Sequence, residues 1–126
     1  LWLISFSEGT RLSAEKLARA RQYAAGHGLA VPRHVQLPRA KGFVASVTGL
    51  QGHIHAVYDV TIGYVDGLPS LWQWAKGEMR EVHLPVRRYA VDELPVAPEA
   101  LAEWLRERFE EKDARLDRFY AAGSLA

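Results

Sequence analysis

The sequence predicts an α/β domain with a mixed sheet, on three observations. Short apolar and β-branched runs recur through its first two thirds. They alternate with segments of helical period. The chain then closes on one long amphipathic segment.

Taken in order, "LWLISF" (Leu1 to Phe6) reads as a buried strand, being short, apolar and rich in Trp, Ile and Phe. Ser13 suits an N-cap, with Glu15 in the first turn of a helix that runs to about Ala25 and stops at Gly26 and Gly28. "HVQL" (His34 to Leu37) predicts a second short strand, ended by Pro38, which has no N–H for a ladder. Valines in "GFVASVTGL" (Gly42 to Leu50) would suit a strand, but the spacing of Phe43, Val44, Val47 and Leu50 favours a short helix. "HIHAVYDVTIGYV" alternates and is rich in β-branched residues, the strongest strand signal in the chain. "DGLPSLWQWAKGE" reads as a loop with one helical turn, and "REVHLPVRRYAV" as a strand in which Pro85 argues for an edge or a bulge. From Pro98 a long helix is predicted, with Leu101, Trp104, Leu105, Phe109, Leu116, Phe119 and Tyr120 as its apolar stripe and Gly123 as its stop. The expected organisation is residues 1–90 as one part of a domain and 91–126 as a helical extension packed on it.

Composition narrows the function classes. The 126 residues amount to one domain, 48% hydrophobic and 25% charged, and a net charge of +1 gives no bulk electrostatic support for a nucleic-acid partner. No cysteine is present, which excludes disulfides, thiolate metal sites and cysteine nucleophiles. Val44 to Tyr58, within the longest uncharged stretch, is interrupted by Gly, Thr, Gln and His, and that stretch falls short of the ~20 apolar residues of a membrane span. The chain opens directly on "LWLISF", without Met or a polar lead-in, and this is read as a cut inside a larger domain.

"SEGTR" carries the clearest chemistry. Gly9 lets backbone amides approach an anion closely, Arg11 offers a rigid charged fork, and Thr10 adds a hydroxyl donor. Glu8 would repel a phosphate, so its role is to hold Arg11 or a neighbouring hydroxyl. A tight turn with a surface Glu–Arg pair explains the same four residues without a ligand.

Five blocks in order, "FSEGTR", "PRHVQLPRAKGF", "HAVYDVTIGY", "VRRYAVDELP" and "WLRERFEEKDARLDRFYAAGSL", are spread along nearly the whole chain. Together they resemble the glycerophospholipid acyltransferase family, the 1-acyl-glycerol-3-phosphate acyltransferases, and most closely the branch with the lysocardiolipin and lysophosphatidylinositol acyltransferases. The resemblance implies the C-terminal part of an acyltransferase αβα domain. It implies that Glu8, Gly9, Thr10 and Arg11 hold the phosphate of an acyl acceptor, bordered by Pro38, Arg39, Lys41 and Gly42 of a second block, Leu37 to Phe43. Ala40 stands where that block has threonine, and Leu12 where phenylalanine is common. The family's catalytic H-x-x-x-x-D is absent: the fifth residues after His27, His34, His53, His55 and His83 are Pro32, Arg39, Tyr58, Val60 and Arg88.

The implied activity is transfer of a fatty acyl group from acyl-CoA, or an acyl carrier protein thioester, to a lysophospholipid such as 1-acyl-glycerol-3-phosphate, with no tightly bound cofactor. The implied setting is the cytoplasmic face of a membrane, with any anchor outside this sequence. The alternative is a non-catalytic lipid-phosphate-binding or interaction module. Among the remaining signals, His53 and His55 share a strand face but lack a third ligand, so no metal site is assigned. Asp59, in an apolar strand, calls for a structural partner. Arg87 and Arg88 fall on opposite faces of their strand, where a solvated edge is favoured over phosphate or coenzyme A binding. Trp72 and Trp74 beside Lys76 suit either a membrane interface or packing on the domain. The charges of "RERFEEKDARLDR" read as a solvated helix face.

Overall fold

A computed structural model describes residues 1–9 and 12–122. It contains helices and small antiparallel sheets, a mixed α/β arrangement. Helix α1 (Ala14–Gly26) starts where expected, the Ser13 hydroxyl accepting the Lys16 N–H at 3.2 Å. The chain leaves it through Gly28 at φ +65°, a left-handed conformation that suits glycine. Helix α2 (Ala40–Gly49) bears out the helical reading of "GFVASVTGL": Phe43 and Val47, four residues apart, form its buried face.

Strand β1 (Ala56–Val60) pairs antiparallel with β4 (Val86–Ala90), setting Asp59 opposite Arg87 and Val57 opposite Tyr89. Strands β2 (Gly63–Tyr64) and β3 (Val82–His83) form a second, two-residue ladder. Between them lies α3 (Leu71–Ala75), the single expected helical turn, closed by a capping box between Ser70 and Gln73. The "HLPV" segment splits the expected strand into β3 and β4. Pro85 has no N–H to donate, and its carbonyl instead accepts the Thr61 N–H at 3.1 Å.

Helix α4 (Pro98–Ala122) organises the core. Its Leu101 and Leu105 pack with Phe43, Val47 and Leu94; Leu116 and Phe119 pack with Val35; Phe109 touches both groups. Trp104 stacks on Phe43 at 5.9 Å and meets Tyr89 edge-on at 5.0 Å, tying α2, α4 and the β1–β4 ladder together. Leu101 is 1% exposed, so its truncation to Ala would cost about 2–5 kcal/mol. Tyr120, assigned to the same stripe, is instead 42% exposed, with His34 against its ring at 5.1 Å. The expected stop at Gly123 lies outside the described residues.

Three strand expectations are corrected. Leu1–Phe6 forms no strand: its large side chains are 57–88% exposed, and Trp2 stacks on Tyr58 at 6.5 Å. A strand exists through its pairing, and no described segment ladders with this one. His34–Leu37 is also not a strand, since side-chain carboxylates rather than a neighbouring backbone take the N–H groups of His34, Val35 and Gln36. The described strands pair as two separate antiparallel ladders, not as one sheet of mixed direction.

Candidate functional site

The two blocks singled out in the sequence, some thirty residues apart, meet in space. The Arg39 N–H donates to the Ser7 carbonyl at 2.7 Å, and the Gln36 N–H donates to Glu8 Oε2 at 3.2 Å. These bonds lay residues 36–39 alongside residues 7–9. Gly9 turns the chain at φ +72°, closed by its N–H to the Phe6 carbonyl at 2.9 Å. A Cβ on Gly9 would sit 2.9 Å from Arg39 Cδ and 3.2 Å from its Nε. The glycine therefore serves twice: it permits the left-handed turn, and it lets the arginine side chain lie flat across the backbone.

Arg39 is also the N-cap residue of α2, and no side chain among the described residues caps that helix. The first-turn N–H groups carry roughly half a unit of positive charge from the helix dipole. Arg39 and Lys41, both exposed, add two full charges at the same end. Pro38 sets the entry into the helix, and Gly42 places no side chain over the first turn. Ser5, Phe6, Ser7, Gly9 and residues 39–43 line an open cleft of about 600 Å³. Such a wall of amides and cations over an apolar floor is able to hold a phosphate whose attached chain is apolar.

Glu8 is half-buried, and burial holds its carboxyl above the usual carboxylate range, while the Gln36 N–H and the Lys112 charge act in the opposite direction. Its observed role is to hold the 36–39 segment. The expected pairing with Arg11, and the Thr10 hydroxyl, lie outside the described residues. Of the expected site residues, Glu8, Gly9, Pro38, Arg39, Lys41 and Gly42 are thus brought to one place.

The other sequence signals resolve individually. Asp59 has its partner: Lys112 Nζ lies 2.7 Å from Asp59 Oδ1, with the side chains 13% and 19% exposed. Arg87 faces Glu111 at 3.1 Å, and Arg88 is exposed, in line with a solvated edge. His83 pairs with Glu81 at 2.6 Å and tilts against Phe119. His53 and His55 are exposed.

Sequence reasoning missed the acidic face of α4. Asp113 accepts the backbone N–H groups of Arg33, His34 and Val35 at 2.6–3.0 Å, and Asp117 pairs with the Arg33 and His34 side chains at 3.2 and 3.0 Å. The signal was present in the spacing. Lys112 and Asp113 fall between Phe109 and Leu116, where the apolar stripe should continue, and charges at stripe positions require buried partners.

Residues 75–126 match the family described as the acyltransferase C-terminus. The chain is 40% identical over 123 residues to 1-acyl-sn-glycerol-3-phosphate acyltransferase 2 of Arabidopsis thaliana, covering 96% of this chain and 32% of the relative. It is 36% identical over 115 residues to the human gamma form of the same enzyme (90% and 31%). Against lysocardiolipin acyltransferase 1 of Gallus gallus it is 35% identical over 127 aligned positions (98% and 34%). The chain thus spans about a third of the length of these relatives. No solved structure matches. Along nearly its whole length the chain is thus similar to these glycerophospholipid acyltransferases, and its residues 75–126 match the acyltransferase C-terminus family.

Proposed function

We propose that this chain contributes the acceptor-phosphate site of an acyltransferase of phospholipid synthesis or remodelling. The observation that carries the reading is the meeting of Gly9 and Arg39 at the uncapped N-terminus of α2, beside Lys41. The acceptor is a lysophospholipid such as 1-acyl-glycerol-3-phosphate, and the donor is acyl-CoA or an acyl carrier protein thioester. Arg39, Lys41 and the α2 amides, with Thr10 and Arg11, neutralise the phosphate; Glu8 keeps the loop in place rather than touching the anion. In the reaction the acceptor's free hydroxyl oxygen attacks the thioester carbonyl, the C–S bond breaks, and the hydroxyl proton passes to a base while the thiolate leaves. That base is expected from a His–Asp pair spaced as H-x-x-x-x-D, a motif this sequence does not contain. Its contribution is then to fix the acceptor so that the hydroxyl is presented in line with the thioester.

In this reading residues 1–90 belong to the catalytic domain, whose αβα layering the family resemblance implies, and 91–126 form the helical extension on it. A membrane surface on its cytoplasmic side is the proposed setting. Support comes from α3, which buries none of its residues and leaves Leu71, Trp72 and Trp74 60–76% exposed next to Lys76. No described helix is long and apolar enough to cross a membrane.

The test is Arg11→Ala in the full-length protein. Its apparent KM for the acceptor should rise by about tenfold or more, and that for the donor should stay unchanged, as for loss of one charge-assisted phosphate contact. Equal effects on the two substrates refute the phosphate assignment. The absence of H-x-x-x-x-D favours one second reading, a lipid-phosphate-binding module without transferase activity. It predicts acceptor binding with no turnover in the full-length protein.

A further inference from the structure

The cradle is assembled by a loop that has little structure of its own. Residues 33–39 form no helix and no strand, yet they place Gln36 against Glu8 and Arg39 across Gly9. A segment of this kind holds a fixed position only where its backbone groups find fixed partners.

Asp113 supplies those partners. One carboxylate receives three consecutive N–H groups: Arg33 at 3.0 Å from both oxygens, His34 at 2.6 Å and Val35 at 3.0 Å from Oδ1. Three amides converging on one acceptor form an anion nest, here filled from within the protein. The next N–H along, that of Gln36, goes to Glu8, and that of Arg39 goes to Ser7. A series of bonds from backbone N–H groups, four to carboxylates and one to a carbonyl, thus runs from the middle of α4 to the cradle. Asp113 itself is anchored. Its neighbour Lys112 bonds Asp59 at 2.7 Å and the Val60 carbonyl at 3.1 Å, and Leu116, one turn on, packs on Val35.

We propose that Asp113 is a positioning residue for the phosphate cradle: its carboxylate fixes the backbone of residues 33–35 and, through the bonds that follow, holds Arg39 in place over Gly9. The inference rests on the acceptor-phosphate reading of that site. It also assigns the acidic face of α4, some seventy residues from the cradle in sequence, a part in substrate binding. Asp117 makes a useful contrast. Among the described residues its hydrogen bonds go to the side chains of Arg33 and His34, it is 46% exposed, and its removal should leave the backbone nest intact.

The experiment compares Asp113→Ala, Asp113→Asn, Arg39→Ala, the Asp113→Ala/Arg39→Ala double variant and Asp117→Ala in the full-length protein. Apparent KM is read for 1-acyl-glycerol-3-phosphate and for acyl-CoA, alongside the thermal midpoint. Asp113→Ala should raise the acceptor KM about tenfold and leave the donor KM unchanged, and Asp113→Asn, which keeps one acceptor oxygen, should do so more weakly. Because Asp113 acts through Arg39, the double variant should be no worse than Arg39→Ala alone. Asp117→Ala should leave both constants unchanged. Additive losses, or equal effects on the two substrates, overturn the inference. So does failure of both Asp113 variants to fold, which would make its role purely structural. An effect of Arg39→Ala with Asp113→Ala silent overturns this inference alone; a silent Arg39→Ala overturns the cradle reading, and this inference with it.

Discussion

Replacing Lys112 by Met separates a partnered charge from an apolar stem at the centre of the fold. The Lys112 ammonium lies 2.7 Å from Asp59 Oδ1, 3.1 Å from the Val60 carbonyl and 5.0 Å from the Phe109 ring centroid. Its side chain is 13% exposed and that of Asp59 is 19% exposed, so water can replace little of what is lost. At 2.7 Å and an effective dielectric of about 20, the attraction is roughly 6 kcal/mol before desolvation, which offsets much of it. Methionine keeps the packing against Phe109 but leaves Asp59 charged, enclosed and unpaired, at an expected cost of about 3 kcal/mol. In urea, with a slope of about 2 kcal/mol per molar, that lowers the unfolding midpoint by about 1.5 M. Asp59→Asn in the same background removes the stranded charge, and the double variant should recover about 2 kcal/mol relative to the sum of the single losses. A coupling under about 0.5 kcal/mol would refute the claim that this pair joins β1 to α4.

Three further outcomes are expected. Gly9→Ala should lose about 1–2 kcal/mol of stability from the left-handed backbone and raise the acceptor KM, because the new methyl displaces Arg39; a variant neutral in both refutes the close approach. Burial raises the Glu8 pKa above its unfolded value, so native Glu8 binds its proton more tightly, and its contribution to stability falls as pH rises from about 4.5 through the native pKa. Glu8→Gln, whose amide oxygen still accepts the Gln36 N–H, should therefore gain on the wild type as pH rises across that window in urea titrations; the opposite slope would sink the argument. Trp72→Ala with Trp74→Ala should leave the melting midpoint unchanged, since neither ring is buried, yet weaken sedimentation with anionic lipid vesicles by roughly tenfold. Undiminished binding would mean that α3 does not meet the membrane.

What was legible in the sequence was what local physics decides. Ser13 with Glu15 marked the start of α1, the spacing of Phe43 and Val47 identified α2 despite its valines, and the Leu101–Phe119 stripe identified α4. Pro85 located a break, and Glu8, Gly9 and the P-R-x-K-G block marked residues that the fold brings together. Each of these signals lies within one turn or one short loop of the residues it governs.

Pairing and partnership were not legible. Leu1–Phe6 and His34–Leu37 have strand composition, but a strand depends on what lies beside it. The first finds no ladder among the described residues, and the second gives its N–H groups to Asp113 and Glu8. The charges of "EEKDARLD" suggest solvated surface, because amphipathic period reports which side of a helix is wet and not which carboxylate meets which amide. By itself the sequence determined the helices and the breakpoints, and singled out the two motif blocks. Only the tertiary structure decided that Lys112 would neutralise Asp59, that Asp113 would clamp the loop, and that Arg39 would lie across Gly9. Those contacts join residues some thirty to eighty positions apart, which meet only after the core around α4 has formed.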